Sequence, residues 1–200
     1  MSEQLLCGAA REVITPPAEM IDHLSGLMNS SFGGVVDDLY VRVIALEYAG
    51  KKMLLVSFDL DKAACPKENL EALEKETGIS KDSVLFIGIH THSAPVTGYR
   101  PHEGPNFIAR KPQIVKETTK RYEKFIQEKL LKAAHKALYD MRPAQMGFAY
   151  GESHVNVNRV AFYEVMDQTG SIHTEVSTGT NYKRPADPTL FVMKFQGMDG

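Results

Sequence analysis

Two consecutive segments of the chain alternate between apolar and polar positions, over residues 39–48 and 53–60. Alternation with a period of two is typical of β-strands that bury one face. The sequence AGKK at residues 49–52 predicts a turn, so the two segments are expected to form a β-hairpin. An earlier strand is expected over residues 10–14, where the sequence TPP at residues 15–17 ends it.

The next two segments predict a βαβ unit. Residues 66–77 begin with a proline, carry Leu70 and Leu73 as apolar positions and are followed by Gly78, a pattern typical of a capped helix. Residues 84–89 contain no charge and are mostly aliphatic or aromatic, which predicts a buried strand. Strand, helix and strand in this order are expected to give two parallel strands with a right-handed crossover.

The remaining pattern completes an α/β fold. Residues 93–111 predict a long loop, and residues 112–141 predict a long helix with one apolar face that covers a sheet. Shorter β segments are expected near residues 144–150, 155–163 and 189–196, with a loop over residues 21–36 and a loop, with or without a short strand, over residues 167–188. The fold class that follows is α/β: a mixed β-sheet with a βαβ unit and a long covering helix, a layered α/β sandwich in a single domain over residues 1–200.

Composition places the chain among ordinary globular domains. Its 200 residues, 43% of them hydrophobic and 24% charged, suffice for one domain with a core. The net charge of -2 gives no general attraction to nucleic acid or to an anionic membrane. The apolar segments are too short for a transmembrane helix, and no secretion signal opens the sequence, so a cytoplasmic protein is expected. Two cysteines, Cys7 and Cys65, are too few for a disulfide framework.

A pair of histidines, His90 and His92, follows directly after the strand at residues 84–89. Side chains alternate along an extended chain, so both imidazoles point to the same side if the extended conformation continues. Neutral imidazole is a good ligand for zinc and similar ions. The pair therefore indicates either a metal site or two histidines that are satisfied by hydrogen bonds at a strand end.

Acidic residues end the first strand of the same βαβ unit, where Asp59 and Asp61 follow the hairpin. The carboxyl ends of parallel strands meet at one edge of a sheet, so Asp59 is expected near the two histidines. There it is either a metal ligand or the acceptor that orients an imidazole. The alternative is that Asp59 only caps the following turn.

A second polar cluster is the sequence NVNR at residues 156–159. Asn156 and Asn158 share one face of an extended segment, and Arg159 is suited to bind an anionic group or to stabilise negative charge on an oxyanion. A structural salt bridge explains Arg159 equally well. The other histidines are expected to be surface or packing residues: His23, His102, His135, His154 and His173.

Six segments in a fixed order carry a resemblance to a known family. They are GAAREVITPP at residues 8–17, DDLYVRVIAL at 37–46, VSFDL at 56–60, HTHSAP at 90–95, NVNR at 156–159 and DPTLFVMKF at 187–195. They are similar to motifs of the neutral/alkaline non-lysosomal ceramidases, and the segment HTHSAP, which matches the family's H-T-H-S-x-P, is the most specific. The resemblance spans nearly the whole chain.

The resemblance implies a zinc-dependent amide hydrolase that uses metal-activated water. Ceramidases of this family cleave the N-acyl bond of ceramide into a sphingoid base and a fatty acid. By the same resemblance, His90 is a zinc ligand, His92 assists proton transfer or contacts the substrate, and Arg159 lines the site. Ser93 and Asn158, which neighbour these residues in sequence, are expected to contact a small-molecule or lipid N-acyl substrate.

The chain also departs from the family pattern. The family's other ligands, a His, a Glu and a Tyr, and an important Ser belong to the later part of its catalytic domain, so this chain is expected to correspond to the N-terminal portion. Val36 stands where many relatives have a histidine. Catalytic zinc sites usually have three protein ligands, which here would come from His92, Asp59, His102, a second subunit or a C-terminal half.

Two functions from different classes remain open. The first is a metal-dependent amidohydrolase that is active alone or after assembly. The second is a non-catalytic ceramidase-like domain or fragment that binds a ligand or partner. An amidohydrolase barrel, which also uses an H-x-H pair, is not favoured, because one βαβ unit beside a long helix is not a repeating β/α pattern.

Overall fold

The computed structural model describes residues 4–26, 31–97 and 117–198, and the chain folds into two compact units. The first unit is Met1–Gln145 with Gly197–Gly200, and the second is Met146–Gln196. The strands are β1 (Leu6–Val13), β2 (Tyr40–Tyr48), β3 (Lys51–Phe58), β4 (Val84–Gly88), β5 (Arg142–Glu152), β6 (Val160–Met166), β7 (Ile172–Thr178) and β8 (Thr189–Gly197). The helices are α1 (Ala18–Ile21), α2 (Pro66–Thr77) and α3 (Glu117–Tyr139), with a short 3-10 helix at Lys81–Ser83.

A mixed sheet with the strand order β4-β3-β2-β1 forms the first unit. Strands β1, β2 and β3 pair in antiparallel fashion, whereas β4 runs parallel to β3. The first residues of β5 continue the sheet, since Arg142 and Pro143 pair with Cys7 and Leu6. These pairings confirm the predicted α/β architecture, including the hairpin and the βαβ unit.

The hairpin β2–β3 turns over two residues. Ala49 and Gly50 have positive φ values of 50° and 77°, and Tyr48 pairs with Lys51. Two central residues with positive φ are the signature of the type I′ turn, whose twist matches that of the flanking strands. The turn is therefore shorter than the expected four residues, and β3 begins at Lys51.

Helix α2 has the bounds that the sequence predicts. Pro66 lies in its first turn, where a missing N–H costs nothing, and Gly78 closes it with a φ of 70°. Leu73 and Asn69 are buried. The Asn69 side chain accepts a hydrogen bond of 3.0 Å from Gln127 of α3, so a satisfied polar contact ties the two helices together.

Helix α3 packs against β1 and β2 and covers one face of the sheet. Its buried side chains follow helical spacing: Tyr122, Ile126, Leu130, Ala133, Ala134 and Ala137. The Tyr122 hydroxyl donates a 2.7 Å hydrogen bond to the Ile14 carbonyl, which satisfies it at full burial. The expected start of this helix at residue 112 lies outside the described residues. Among the described helices, α3 included, none has both the length and the apolar character needed to cross a membrane.

The small residues of β1 explain why its predicted length is wrong. The strand runs from Leu6, four residues earlier than expected, through Gly8 and two alanines. A Cβ atom at Gly8 would collide with the backbone carbonyl of Ala137 in α3. Close packing of the helix therefore requires small side chains, which weaken the hydrophobic pattern that predicts a strand. Near the same end of the chain, α1 extends to Ile21, into the segment expected to be a loop.

The core lies between the helices and one face of the sheet. The sheet contributes buried positions that alternate along β2 and β3: Val41, Val43, Ala45, Leu54, Val56 and Phe58. On β4, in contrast, Leu85 is 52% exposed and Ile87 is 46% exposed. The prediction of a buried strand is wrong here, because β4 lies at the edge of the described sheet and the described helices cover only one face of it.

The second unit contains the antiparallel pair β6 and β7 and the neighbouring strands β5 and β8 over most of their lengths. Strands β6 and β7 pair from Val160 with Thr178 to Met166 with Ile172. Strand β6 begins five residues later than expected, and the loop expected over residues 167–188 does carry a short strand, the seven-residue β7. The later part of β5 is the neighbour of β8 in a sheet, and the rings of Tyr150 and Phe191 lie 5.2 Å apart.

Candidate metal centre

The candidate site forms where the parallel strands β3 and β4 end. Their register closes with Phe58 beside Gly88, so the segments that follow both strands leave from one edge of the sheet. Backbone contacts continue past the strands, because the N–H of His90 donates a 3.1 Å hydrogen bond to the carbonyl of Leu60. This bond places His90 directly beside Asp61.

Three side chains meet at this edge. The Nδ1 atom of His90 lies 2.6 Å from Oδ1 of Asp61 and 3.2 Å from the Asp61 backbone carbonyl. The Nε2 atoms of His90 and His92 lie 3.4 Å apart, with the two rings edge to face. One ligand atom from each of the three residues lies within 4.8 Å of the others.

A left-handed turn brings the two imidazoles together. Strand β4 ends at Gly88, and His90 has a φ of 65°, a conformation that non-glycine residues seldom adopt. The extended conformation therefore does not continue through His92, contrary to the condition on which the sequence prediction depends. Such local strain is common at functional sites, where the surrounding structure holds it in place.

The distance between the two imidazole nitrogen atoms fits that of two ligands of one metal ion. Two nitrogen ligands on a tetrahedral zinc ion, each about 2.0–2.1 Å from it, lie about 3.3 Å apart. The observed 3.4 Å between the Nε2 atoms of His90 and His92 agrees with this separation. The His90 side chain is 68% exposed and open to an ion from solvent, whereas the Asp61 side chain is only 6% exposed.

Asp59, the carboxylate expected near the histidines, is engaged elsewhere. Its Oδ2 accepts a 2.9 Å hydrogen bond from the backbone N–H of Tyr40, and its Oδ1 lies 2.5 Å from the Arg42 guanidinium. These contacts fasten the end of β3 to β2, and a role of Asp59 in metal binding stays a prediction. Asp61, two residues later, is the carboxylate beside the imidazoles. Its position after the same strand makes it as strong a candidate in sequence as Asp59, and the structure makes the choice between them.

A cavity of about 550 Å³ opens beside His92. Thr91, His92 and Ser93 form part of its wall. Much of the remaining lining is apolar: Pro16, Ile21, Phe32, Val35, Val36, Leu39 and Pro95. Ser93, the expected substrate contact, therefore borders a largely apolar space together with His92.

The other predicted site residues, Asn158 and Arg159, belong to the second unit. The Asn158 side chain donates a 3.1 Å hydrogen bond to the Pro185 carbonyl and accepts one of 3.0 Å from the N–H of Val160, so it fastens its own loop. Arg159 is exposed, and its carbonyl accepts a hydrogen bond from Gly179. Their roles in substrate binding and catalysis stay predictions.

The remaining histidines fall into two groups. His102 lies outside the described residues. The other four are exposed, as the sequence predicts: His23, His135, His154 and His173. Two of them contact glutamates, His154 with Glu152 at 3.5 Å and His173 with Glu175 at 3.2 Å.

Comparisons with known proteins support the fold. No protein-family model and no curated protein matches the chain in sequence. The crystal structure of neutral ceramidase from Pseudomonas aeruginosa is similar with a TM-score of 0.68 at 16% identity, over 100% of this chain and 30% of that one. A ceramidase complexed with C2 is similar with a TM-score of 0.66 at 17% identity, over the same shares. The chain thus has a ceramidase-like fold and spans about 30% of the length of these ceramidases.

Proposed function

We propose that this chain carries part of the zinc centre of a hydrolase that cleaves an amide bond in a ceramide-like or other N-acyl substrate. The observation that carries the proposal is the meeting of His90, His92 and Asp61 at the sheet edge of a ceramidase-like fold. Parallel strand ends are where α/β proteins commonly bind ligands, which supports a functional reason for this cluster.

His90 would hold the ion through Nε2, because its Nδ1 already faces Asp61. When bound, zinc supplies a Lewis acid for the amide carbonyl and lowers the pKa of its water to about 7. The 3.4 Å separation supports His92 as a second ligand, whereas the resemblance to ceramidases assigns His92 to proton transfer. In that second role, Nε2 of His92 would give a proton to the leaving amine.

The cavity beside His92 supports an apolar substituent on the substrate. Phe32, Val35 and Leu39 offer apolar contacts, and Thr91 and Ser93 offer hydroxyl groups near the imidazole. A substrate with its apolar acyl group in this cavity would present its carbonyl towards His92. The resemblance implies that Arg159 also lines the site, and its guanidinium group is suited to stabilise negative charge on an oxyanion.

Turnover requires a ligand set larger than the two imidazoles. Catalytic zinc sites usually have three protein ligands, and this chain spans about 30% of the ceramidases with which it shares its fold. A second subunit or further polypeptide would supply the rest. A non-catalytic domain that binds a ligand is the alternative function.

Hydrolysis of an N-acyl sphingoid amide with added zinc, by the assembly that supplies the full ligand set, tests the proposal. The variant His92→Ala is expected to lower the rate by roughly 10²- to 10⁴-fold, the usual contribution of a general acid or base. Zinc retained in this variant would identify His92 as the proton carrier, and zinc lost would identify it as a ligand. The matched control is His135→Ala, since His135 is an exposed histidine on α3.

Two results would contradict the proposal. The first is a His92→Ala protein that hydrolyses the amide as fast as the wild type. The second is an assembly with the full zinc ligand set that binds zinc and hydrolyses no amide in the tested series, which would favour the ligand-binding alternative.

A further inference from the structure

We infer that Asp61 is a positioning residue, which fixes the ring of His90 so that Nδ1 carries the proton and Nε2 faces the ion. The inference rests on the proposed metal centre and assigns a role to a residue that the sequence analysis does not select. Its basis is the contact between a buried carboxylate and an exposed imidazole on consecutive strand ends.

The hydrogen-bond donors and acceptors of Asp61 and His90 determine which ring nitrogen of His90 carries the proton. Asp61 offers two acceptors to Nδ1 of His90, the carboxylate oxygen at 2.6 Å and the backbone carbonyl at 3.2 Å. A neutral imidazole has one N–H donor and one lone-pair acceptor. Two acceptors beside Nδ1 require the N–H at that atom, which leaves the lone pair on Nε2.

The lone pair on Nε2 then faces His92, at the place where an ion would bind. Nε2 of His90 faces Nε2 of His92 at 3.4 Å, the separation that two ligands of one ion require. Metal-binding histidines commonly donate their other ring N–H to a carboxylate or a backbone carbonyl, which fixes the tautomer and strengthens the ligand. Asp61 provides both kinds of acceptor.

The surrounding backbone holds Asp61 and His90 in this arrangement. The hydrogen bond from the His90 N–H to the Leu60 carbonyl fixes the two segments side by side. The left-handed conformation of His90 sets the direction of its side chain, and the Asp61 side chain is 6% exposed. The carboxylate therefore has little freedom to leave Nδ1 and approach an ion on the other side of the ring.

The test combines histidine nitrogen NMR with zinc titration, for the wild type, Asp61→Ala and Asp61→Asn. In the zinc-free wild type at alkaline pH, His90 is expected in the Nδ1–H tautomer, and zinc is expected to bind at Nε2 with the Nδ1 proton retained. Asp61→Ala is expected to shift the tautomer towards Nε2–H and to weaken zinc binding roughly 10- to 100-fold. Asp61→Asn, which keeps an acceptor of the same size, is expected to fall between the two.

Asp82→Asn is the matched control, because Asp82 is an exposed carboxylate in the 3-10 helix before β4. It is expected to leave the tautomer and the zinc affinity unchanged. An Nε2–H tautomer in the wild type would overturn the inference, as would zinc bound at Nδ1. An Asp61→Ala protein with an unchanged tautomer would also overturn the positioning role of the carboxylate, because the backbone carbonyl of residue 61 would then suffice to hold the proton at Nδ1. The tautomer in the zinc-free protein is informative even if no zinc binds, a result that would refute only the metal centre.

Discussion

At the scale of single residues, Gly88 controls the approach of the two segments that form the candidate site. A Cβ atom at Gly88 would lie 2.5 Å from the Cα of Lys62 and 2.7 Å from its carbonyl carbon. Backbone atoms cannot move aside as a flexible side chain can, so any larger residue would push Lys62 and the adjacent Asp61 away from β4. The absence of a side chain at one position thus allows Asp61 to contact His90.

The substitution Gly88→Ala is therefore expected to weaken both the fold and the site. Overpacking of this kind commonly lowers the free energy of unfolding by about 1–3 kcal/mol. Urea unfolding would measure this loss, and zinc titration would measure the weaker binding. Gly147→Ala is the matched control, because a Cβ atom there has no neighbour within 4 Å among the described residues. Equal unfolding midpoints for Gly88→Ala and the wild type would show that close packing at Gly88 does not stabilise the fold.

At the scale of elements, a buried acidic residue links β1 to helix α3. Glu12 contacts Lys136, and its other carboxylate oxygen lies 3.1 Å from the ammonium group of Lys132. The hydrogen bond from Lys136, followed by that from Lys132, lowers the pKa of Glu12 below its ordinary value of 4.5. A carboxyl group with a lowered pKa stabilises the folded state above its unfolded pKa, and this stabilisation is lost as the pH falls through the folded pKa.

On acidification, the free energy of unfolding is expected to fall less for the variant Glu12→Gln than for the wild type. This difference is expected in a pH window that begins near 4.5 and extends below it. The free energy of unfolding, measured in urea at several pH values, tests this expectation. Glu71→Gln serves as a control, because Glu71 is exposed on α2 and has no ion pair in the described part of the chain. Parallel pH profiles for Glu12→Gln and the wild type would exclude a contribution from this ion cluster.

At the scale of the whole molecule, the strong local patterns of the sequence were sufficient to predict the fold class. Alternation predicts the hairpin β2–β3, and the proline, the leucine spacing and Gly78 predict α2 with its observed bounds. The prediction that β4 is buried was wrong, because a continuous apolar run does not reveal whether a second layer covers the strand. The length of β1 was also wrong, because the small residues that admit α3 weaken the strand pattern.

The candidate site was accessible to sequence reasoning only in part. The spacing of His90 and His92 identifies the imidazole pair, and the βαβ unit predicts an acidic partner at the same edge. Sequence alone does not distinguish Asp59 from Asp61, because the choice depends on the left-handed turn at His90 and on the pairing of Asp59 with Arg42. The roles of Arg159 and Asn158 in the site rest on the resemblance to ceramidases and stay predictions.

Zinc binding by the whole chain, measured by equilibrium dialysis and elemental mass spectrometry, tests directly whether these strand ends form a metal centre. We expect about one zinc per chain for the wild type and for His135→Ala, and loss of that zinc in His90→Ala, because Nε2 of His90 anchors the ion. Circular dichroism would establish that His90→Ala remains folded. Undiminished zinc in folded His90→Ala, or no zinc in the wild type, would contradict the claim that these strand ends form a metal centre.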